Sequence, residues 1–334
     1  MKILQVVDGT GWGGTKEQVY LTTRELKKKG VDVHIALNQD YTQMIQKLNP
    51  YNIPIHFFED NKPNPRYRWS NYKRLIDIIN NNRFDVVVAN SPKAMDYVAL
   101  ASYFFNQKPK IVAVRRSGRV PSFLSKIIKY SKADKIVVVS QEVRDILEKR
   151  DFFPDKLVTI KSGIDLSRFR VNPEVREKVR SGLGVSVESK IFINVANWQL
   201  QVKAQDKLIE SFSKLNCANC FLILVGLDTD RYAKEYAKKF EIENRVIGLG
   251  FREDIPDLLN ASDFFLLSSN LEGIAGSLLQ AMATGKVVLS TLAGGIGEYL
   301  TDGYNGFAVD VGDFENFAKK LNYLLNLPKE EYER

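Results

Sequence analysis

"ASDFFLLSSNLEGIAGSLLQAMATGKVVLST", residues 261–291, decides the fold. Phe264–Ser269 is an apolar run ending in two serines, which reads as a strand buried on both faces. Residues 270–276 form a loop at its carboxyl end. "SLLQAMAT" has helical spacing and leads to Gly285, a residue type suited to the position just past a helix end. "VVLST" is then a second buried strand. A strand–helix–strand unit makes the two strands parallel and requires helices to cover the sheet. Glu272 falls in the loop, and Gln280 about one turn into the helix. The amides around Gly276, Ser277 and Leu278 open that helix, where unpaired N–H groups attract a phosphate. A carboxylate beside a phosphate site suits a substrate joining hydroxyls to a diphosphate, which describes a nucleotide sugar.

The same pattern recurs in both directions. "KILQVV", "DVHIAL", "DVVVAN", "KIVAV" and "KIVVVS" read as strands upstream, and "IFINVA", "CFLILVG" and "NRVIGLG" join the two above. Helical stretches at 17–29, 72–81, 141–149 and 205–215 alternate with them. Repeated βα units give an α/β fold, and about ten strands are too many for one sheet in a chain of this length. The expectation is two facing Rossmann-like, doubly wound parallel-sheet domains with a cleft between them, 1–170 and 171–334. The break falls near "LVTIKSGIDLSRFRVNP".

Composition narrows the function classes. The 334 residues are 44% apolar and 26% charged, with no run near the roughly 20 apolar residues of a membrane span. Met1 leads directly into a strand without a signal-peptide pattern, so a cytoplasmic protein is expected. The two histidines, His34 and His56, leave little for a histidine-based triad or metal centre. Cys217 and Cys220 read as reduced thiols ahead of a buried strand. A net charge of +8 suits a phosphate-bearing partner or an anionic membrane surface, and no recognised nucleic-acid module is present.

At the N-terminus "GTGWGG", residues 9–14, has the G-x-G-x-x-G spacing of a dinucleotide loop. The ribose-binding acid that should follow about 20 residues on is absent, since Asp40 lies too far along in a polar loop. The glycines favour an open backbone at a strand end leading into a helix, able to grip an anionic or hydroxyl-rich group.

Residues 261–313 resemble the donor-binding segment of the family 4 glycosyltransferases, which have the GT-B fold. The pattern S-x-x-E-G, then A-M-A-x-G, G-G-x-x-E and D-G-x-N-G is carried by Ser269, Glu272, Gly273, Ala281, Met282, Ala283, Gly285, Gly294, Gly295, Glu298, Asp302, Gly303, Asn305 and Gly306. "VTIKSGIDLSRF" resembles the segment entering the second domain, through Gly163, Asp165 and Phe169. "VANWQLQVKAQDKLIESF" resembles the segment that places a lysine, here Lys203, on the donor diphosphate. "VIGLGFRED" follows in family order.

The resemblance implies a metal-independent, retaining transferase without a cofactor, using a nucleotide sugar, most commonly a UDP-sugar. Its acceptor would be a glycan or glycolipid of the cell surface, such as lipopolysaccharide core. The implied catalytic positions are Glu272, Lys203 and Asn90. The donor would meet Trp198, Gly250, Phe251, Arg252, Gly276, Ser277, Leu278 and Gln280. On the acceptor side stand Gly13, Gly14, Lys16, Glu17, Arg115 and Arg116. No Asp-x-Asp motif stands where a metal-dependent transferase would need one. Three positions depart from the family: Gln280 replaces a glutamate, Trp198 or Asn197 an arginine, and Asn90 a histidine. The family's long closing helix would lie beyond "NLPKEEYER".

"VRRSGRVPSFLSKIIKYSK" adds Arg115, Arg116, Arg119, Lys126, Lys129 and Lys132, with Phe123, Leu124, Ile127 and Ile128 on the same helix. One reading is a basic face meeting anionic lipid or a phosphorylated glycolipid. The other is an amphipathic helix with apolar residues inward and solvated lysines. Arg115 and Arg116 directly follow a buried strand, so they are expected at the cleft mouth, facing an anionic acceptor. Two other functions stay open. Gln280, Asn90 and Trp198 fit a non-catalytic nucleotide-sugar scaffold, and the opening glycines fit an NAD-linked oxidoreductase.

Overall fold

In the computed structural model residues 1–328 are described, so residues 329–334 of the second expected domain and of "NLPKEEYER" lie outside the described residues. The chain divides into two compact units, Met1–Gly163 and Ile164–Arg334. In the first, β1 (Lys2–Val6), β2 (Asp32–Asn38), β3 (Ile55–Glu59), β4 (Val86–Ala89), β5 (Lys110–Arg115), β6 (Lys135–Val138) and β7 (Leu157–Thr159) form one sheet in the order 3-2-1-4-5-6-7. In the second, β8 (Lys190–Val195), β9 (Cys220–Val225), β10 (Val246–Gly248), β11 (Phe264–Leu267), β12 (Val287–Thr291) and β13 (Phe307–Val309) are ordered 10-9-8-11-12-13. Every pairing is parallel. Both units are therefore wound alike, outward from β1 and from β8, and each reverses direction once.

Strand alternation explains the unbroken apolar runs. Phe264 and Leu266 enter one core while Phe265 and Leu267 enter the core on the opposite face. In the first unit Ala36 belongs to one cluster and its neighbours Ile35 and Leu37 to the other. Each face is covered by helices, and each fully buried Leu or Phe contributes about 1.5–3 kcal/mol relative to exposure.

Two strands escape the sequence reading. β3 carries His56 and a solvent-exposed Phe57, and β13 is three residues long at a sheet edge. Edge strands lack the continuous burial that makes a strand visible in sequence. His56 stacks on His34 of the neighbouring β2, with Nε2 and Nδ1 2.8 Å apart, and burial pulls both imidazole pKa values down. The cysteines also differ from expectation. The turn before β9 brings the Cα atoms of Cys217 and Cys220 to 5.5 Å, and the two are joined in a disulfide rather than left as thiols.

Candidate active site

In the second unit the winding reverses between β8 and β11, and the carboxyl ends of strands at such a reversal are where open α/β sheets bind ligands. The two loops are tied together. Asn270 N donates to Val202 O at 2.8 Å, and Ser268 Oγ to Lys203 O at 2.8 Å. These bonds set Lys203, the last residue of the Leu200–Lys203 helix, opposite Glu272. Lys203 Nζ donates to Glu272 Oε1 at 2.5 Å, and Ser269 Oγ donates to the same oxygen at 2.7 Å. A carboxylate with two donors on one oxygen is well positioned, and its other oxygen remains to accept from a ligand hydroxyl.

The floor beneath this pair is bare backbone. Gly294 has φ +61°, and a Cβ there would lie 2.2 Å from Glu272 O. Gly295 N donates to Gly273 O at 2.9 Å. The double glycine thus lets one loop run directly under the other. Tyr299, not singled out from the sequence, reaches Ala275 O with its hydroxyl at 3.4 Å. Burial, reinforced by the charge of Glu272, raises the pKa of that hydroxyl.

The helix that follows spans Gly276–Ala283 and has no side-chain cap. Gly276 and Ser277 present N–H groups without an acceptor among the described residues. Leu278 does not, because its N–H donates to Ala275 O at 3.1 Å in a tightened first turn. Gln280 is half-buried on the same helix. Gly285, φ +68°, ends it as expected, with Lys286 N reaching back to Ala281 O at 3.0 Å.

The remaining donor-side residues are placed as follows. Gly250, φ +66°, donates to Thr229 Oγ1 at 3.0 Å, and Phe251 beside it is exposed. Arg252 forks onto Asp254 at 2.6 and 2.8 Å, which raises the guanidinium pKa and holds it in its own loop. The Trp198 ring stacks on Tyr232 at 5.8 Å and meets Tyr236 edge-on at 5.2 Å, so it serves as packing against the Thr229–Lys238 helix.

In the first unit the reversal falls between β1 and β4. Gly9, φ +64°, donates to Glu59 Oε2 at 2.6 Å. Trp12 leaves the glycine loop to pack on Tyr20 and Tyr41, at 6.4 and 6.3 Å. Gly13 O accepts from the amides of Lys16 at 2.9 Å and Glu17 at 3.0 Å, and Gly14 begins the Gly14–Lys28 helix. Lys16 Nζ donates to Asp8 O. Burial lowers its pKa, opposed by the nearby Asp8 and Glu59. Ser91 Oγ donates to Asp8, and Tyr97 donates its hydroxyl to Glu59 at 2.8 Å. Asp8, Gly9, Glu59, Arg66 and Lys93 line a cavity of about 210 Å³. Asp8, Glu59, Ser91 and Tyr97 were missed in sequence. The one signal, the acidic pair Glu59–Asp60 ending "PIHFFED", lies at the carboxyl end of the unread strand β3.

Asn90 is buried, and its amide donates to Gln5 Oε1 at 2.7 Å, which ties it to β1. Arg115 departs from the cleft-mouth expectation. Its buried guanidinium donates to Tyr130 Oη at 2.9 Å and to the Arg119 carbonyl, because the loop after β5 folds back and supplies acceptors. Arg116 is half-buried, its Nε has no partner among the described residues, and burial takes its pKa down to about 10. Among the described residues no group of three or more His, Cys, Asp and Glu side chains is placed to hold a metal. None of their helices is long and apolar enough to cross a membrane.

Comparison with known proteins agrees with the fold. The chain is 26% identical to N-acetyl-alpha-D-glucosaminyl L-malate synthase of Bacillus anthracis, across 96% of this chain and 85% of that one. It is 22% identical to N,N'-diacetylbacillosaminyl-diphospho-undecaprenol alpha-1,3-N-acetylgalactosaminyltransferase of Campylobacter jejuni, across 90% and 84%. Anabaena Alr3699/HepE, solved in complex with UDP-glucose, superposes with a TM-score of 0.83 at 23% identity over 97% of this chain and 90% of that one. WaaG, a glycosyltransferase involved in lipopolysaccharide biosynthesis, gives 0.74 at 18% identity over 97% and 90%. These solved neighbours share the GT-B fold. The model for Glycosyltransferase Family 4 matches residues 12–168 and that for Glycosyl transferases group 1 matches residues 175–334. With both halves matched, the chain belongs to the family 4 glycosyltransferases.

Proposed function

We propose that the protein is a retaining glycosyltransferase that moves a sugar from a nucleotide sugar, a UDP-sugar first, to a hydroxyl of a cell-surface glycan or glycolipid. The observation that carries this reading is the Lys203–Glu272 pair at the winding reversal of the second unit, beside the vacant amides of Gly276 and Ser277. Lys203 and those amides meet the charge that develops on the departing diphosphate, and no metal is required for that role. Glu272, steadied by Ser269, accepts from sugar hydroxyls and orients the donor. The glycosidic C–O bond breaks as the acceptor oxygen bonds to the same carbon from the same face, and its proton passes to the leaving phosphate. Gly250, Phe251 and Gln280 border the nucleoside. The first unit takes the acceptor, through the Gly13–Glu17 helix start and the unpartnered edge of Arg116, which suits a phosphorylated or otherwise anionic glycolipid such as a lipopolysaccharide core. We place the protein in the cytoplasm, on the inner face of the cell membrane, where such acceptors are built. The undecaprenyl diphosphate acceptor in the name of the Campylobacter relative, and UDP-glucose in the Anabaena protein, support both halves of this reading.

A thermal-shift panel of nucleotides and nucleotide sugars tests it. A true donor at 100 Kd adds about 2.7 kcal/mol of stability. Stabilisation by a UDP-sugar together with its slow hydrolysis is the expected result. Binding without turnover would favour a scaffold, and stabilisation by NAD alone would overturn the reading.

A further inference from the structure

The Phe123–Ile128 helix is inverted relative to an ordinary surface helix. None of its residues is buried. Phe123 is 73% exposed, Leu124 67%, Ile128 60% and Ile127 50%. The lysines around it point inward. Lys126 donates to the Asp151 carbonyl, and Lys129 donates to Asp96 and to Pro92 O at 3.1 Å. Ion pairs therefore hold the helix to the first unit while its four large apolar side chains face water. Aromatic residues adjoin it. Lys132 sits 4.0 Å above the Tyr103 ring, and Phe104 next to Tyr103 meets Trp69 edge-on at 5.3 Å. All three of these rings are exposed.

We propose that this face is a membrane-docking surface, with the Phe123–Ile128 ridge inserted among the acyl chains of an anionic bilayer and the aromatic–lysine rim at headgroup level. Soluble proteins rarely expose so much contiguous apolar surface without a partner. Apolar residues flanked by exposed aromatics and basic groups are the chemistry of an interfacial helix. Charge selects the occupant. Of the seven Lys and Arg among residues 115–135, Lys126 and Lys129 are neutralised by Asp151 and Asp96 and Arg115 is buried, which leaves Arg116, Arg119, Lys132 and Lys135 against one acid, Asp134, itself paired with Lys110. A second copy meeting this face symmetrically would set like charges against each other, whereas anionic lipid complements them. The proposal deepens the acceptor reading above, since a lipid-linked acceptor lies in the bilayer, but it rests on separate residues.

Co-sedimentation with vesicles of phosphatidylcholine alone, or with about one third phosphatidylglycerol, tests it. The wild type should pellet with the anionic vesicles at least tenfold more strongly than the quadruple variant Phe123→Ser, Leu124→Ser, Ile127→Ser, Ile128→Ser. The four positions are exposed, so the variant should keep its melting temperature and its thermal shift with UDP. Retained UDP binding with lost pelleting supports docking independently of the transferase assignment. Equal pelleting of the two proteins, or none by the wild type, overturns it. A wild-type dimer in light scattering that the variant abolishes would likewise overturn it, by assigning the ridge to self-association.

Discussion

The two units share one winding and use their reversal points differently. At the β8/β11 point Lys203 and Glu272 meet each other, and the amides of Gly276 and Ser277 meet no acceptor among the described residues. At the β1/β4 point the polar groups answer one another. Lys16 and Ser91 donate to Asp8, Gly9 and Tyr97 to Glu59, and Asn90 to Gln5. The same scaffold thus yields one edge ready for a charged ligand and one held rigid by its own hydrogen bonds.

The sharpest way to break this contrast is Lys203→Ala. If Lys203 faces the leaving group as proposed, its loss should lower turnover by roughly 10²–10³-fold, read in a steady-state sugar-transfer or donor-hydrolysis assay. Near-normal turnover would mean that the open edge is not the donor site. The first unit is probed by two adjacent arginines. Arg115→Ala removes a buried, hydrogen-bonded side chain and should cost about 1–3 kcal/mol in denaturant unfolding. Arg116→Ala should leave stability nearly unchanged and raise the KM for an anionic acceptor without altering UDP binding. If both variants behave alike, the distinction between a structural and a ligand-facing arginine fails.

The smallest effect concerns pH. Both histidines of the His34–His56 pair have pKa values below the usual 6.5, so the unfolded chain takes up protons first as the medium is acidified. The pair's contribution is complete above 6.5 and is lost as pH falls through the lower folded values. A melting-temperature series should show His56→Gln less acid-sensitive than the wild type, by about 2–4 °C for each kcal/mol involved. Identical slopes would remove the pair from the acid response.

The backbone of the second unit's candidate site was legible because its motifs encode backbone necessities. Gly285 must end a helix and Gly294 must pass under Glu272, and such demands leave fixed letters in a sequence. Side-chain direction leaves none. That Arg115 folds back on Tyr130, that Trp198 packs on Tyr232, and that the Phe123–Ile128 helix turns its lysines inward all depend on partners distant in the chain. β3 and β13 were unread because edge strands are only partly buried. The Cys217–Cys220 bond depended on a turn whose tightness the spacing C-x-x-C does not specify.

Gly294 has one more consequence. With main chain resting on main chain, the segment bearing Glu272 has no cushion of side-chain atoms to absorb a misfit below it. Bulk added at 294 would be transmitted upward as displacement of the carboxylate, so damage would register in sugar handling as well as in unfolding. Side chains carried on that segment can be exchanged for others; the naked peptide supporting them cannot.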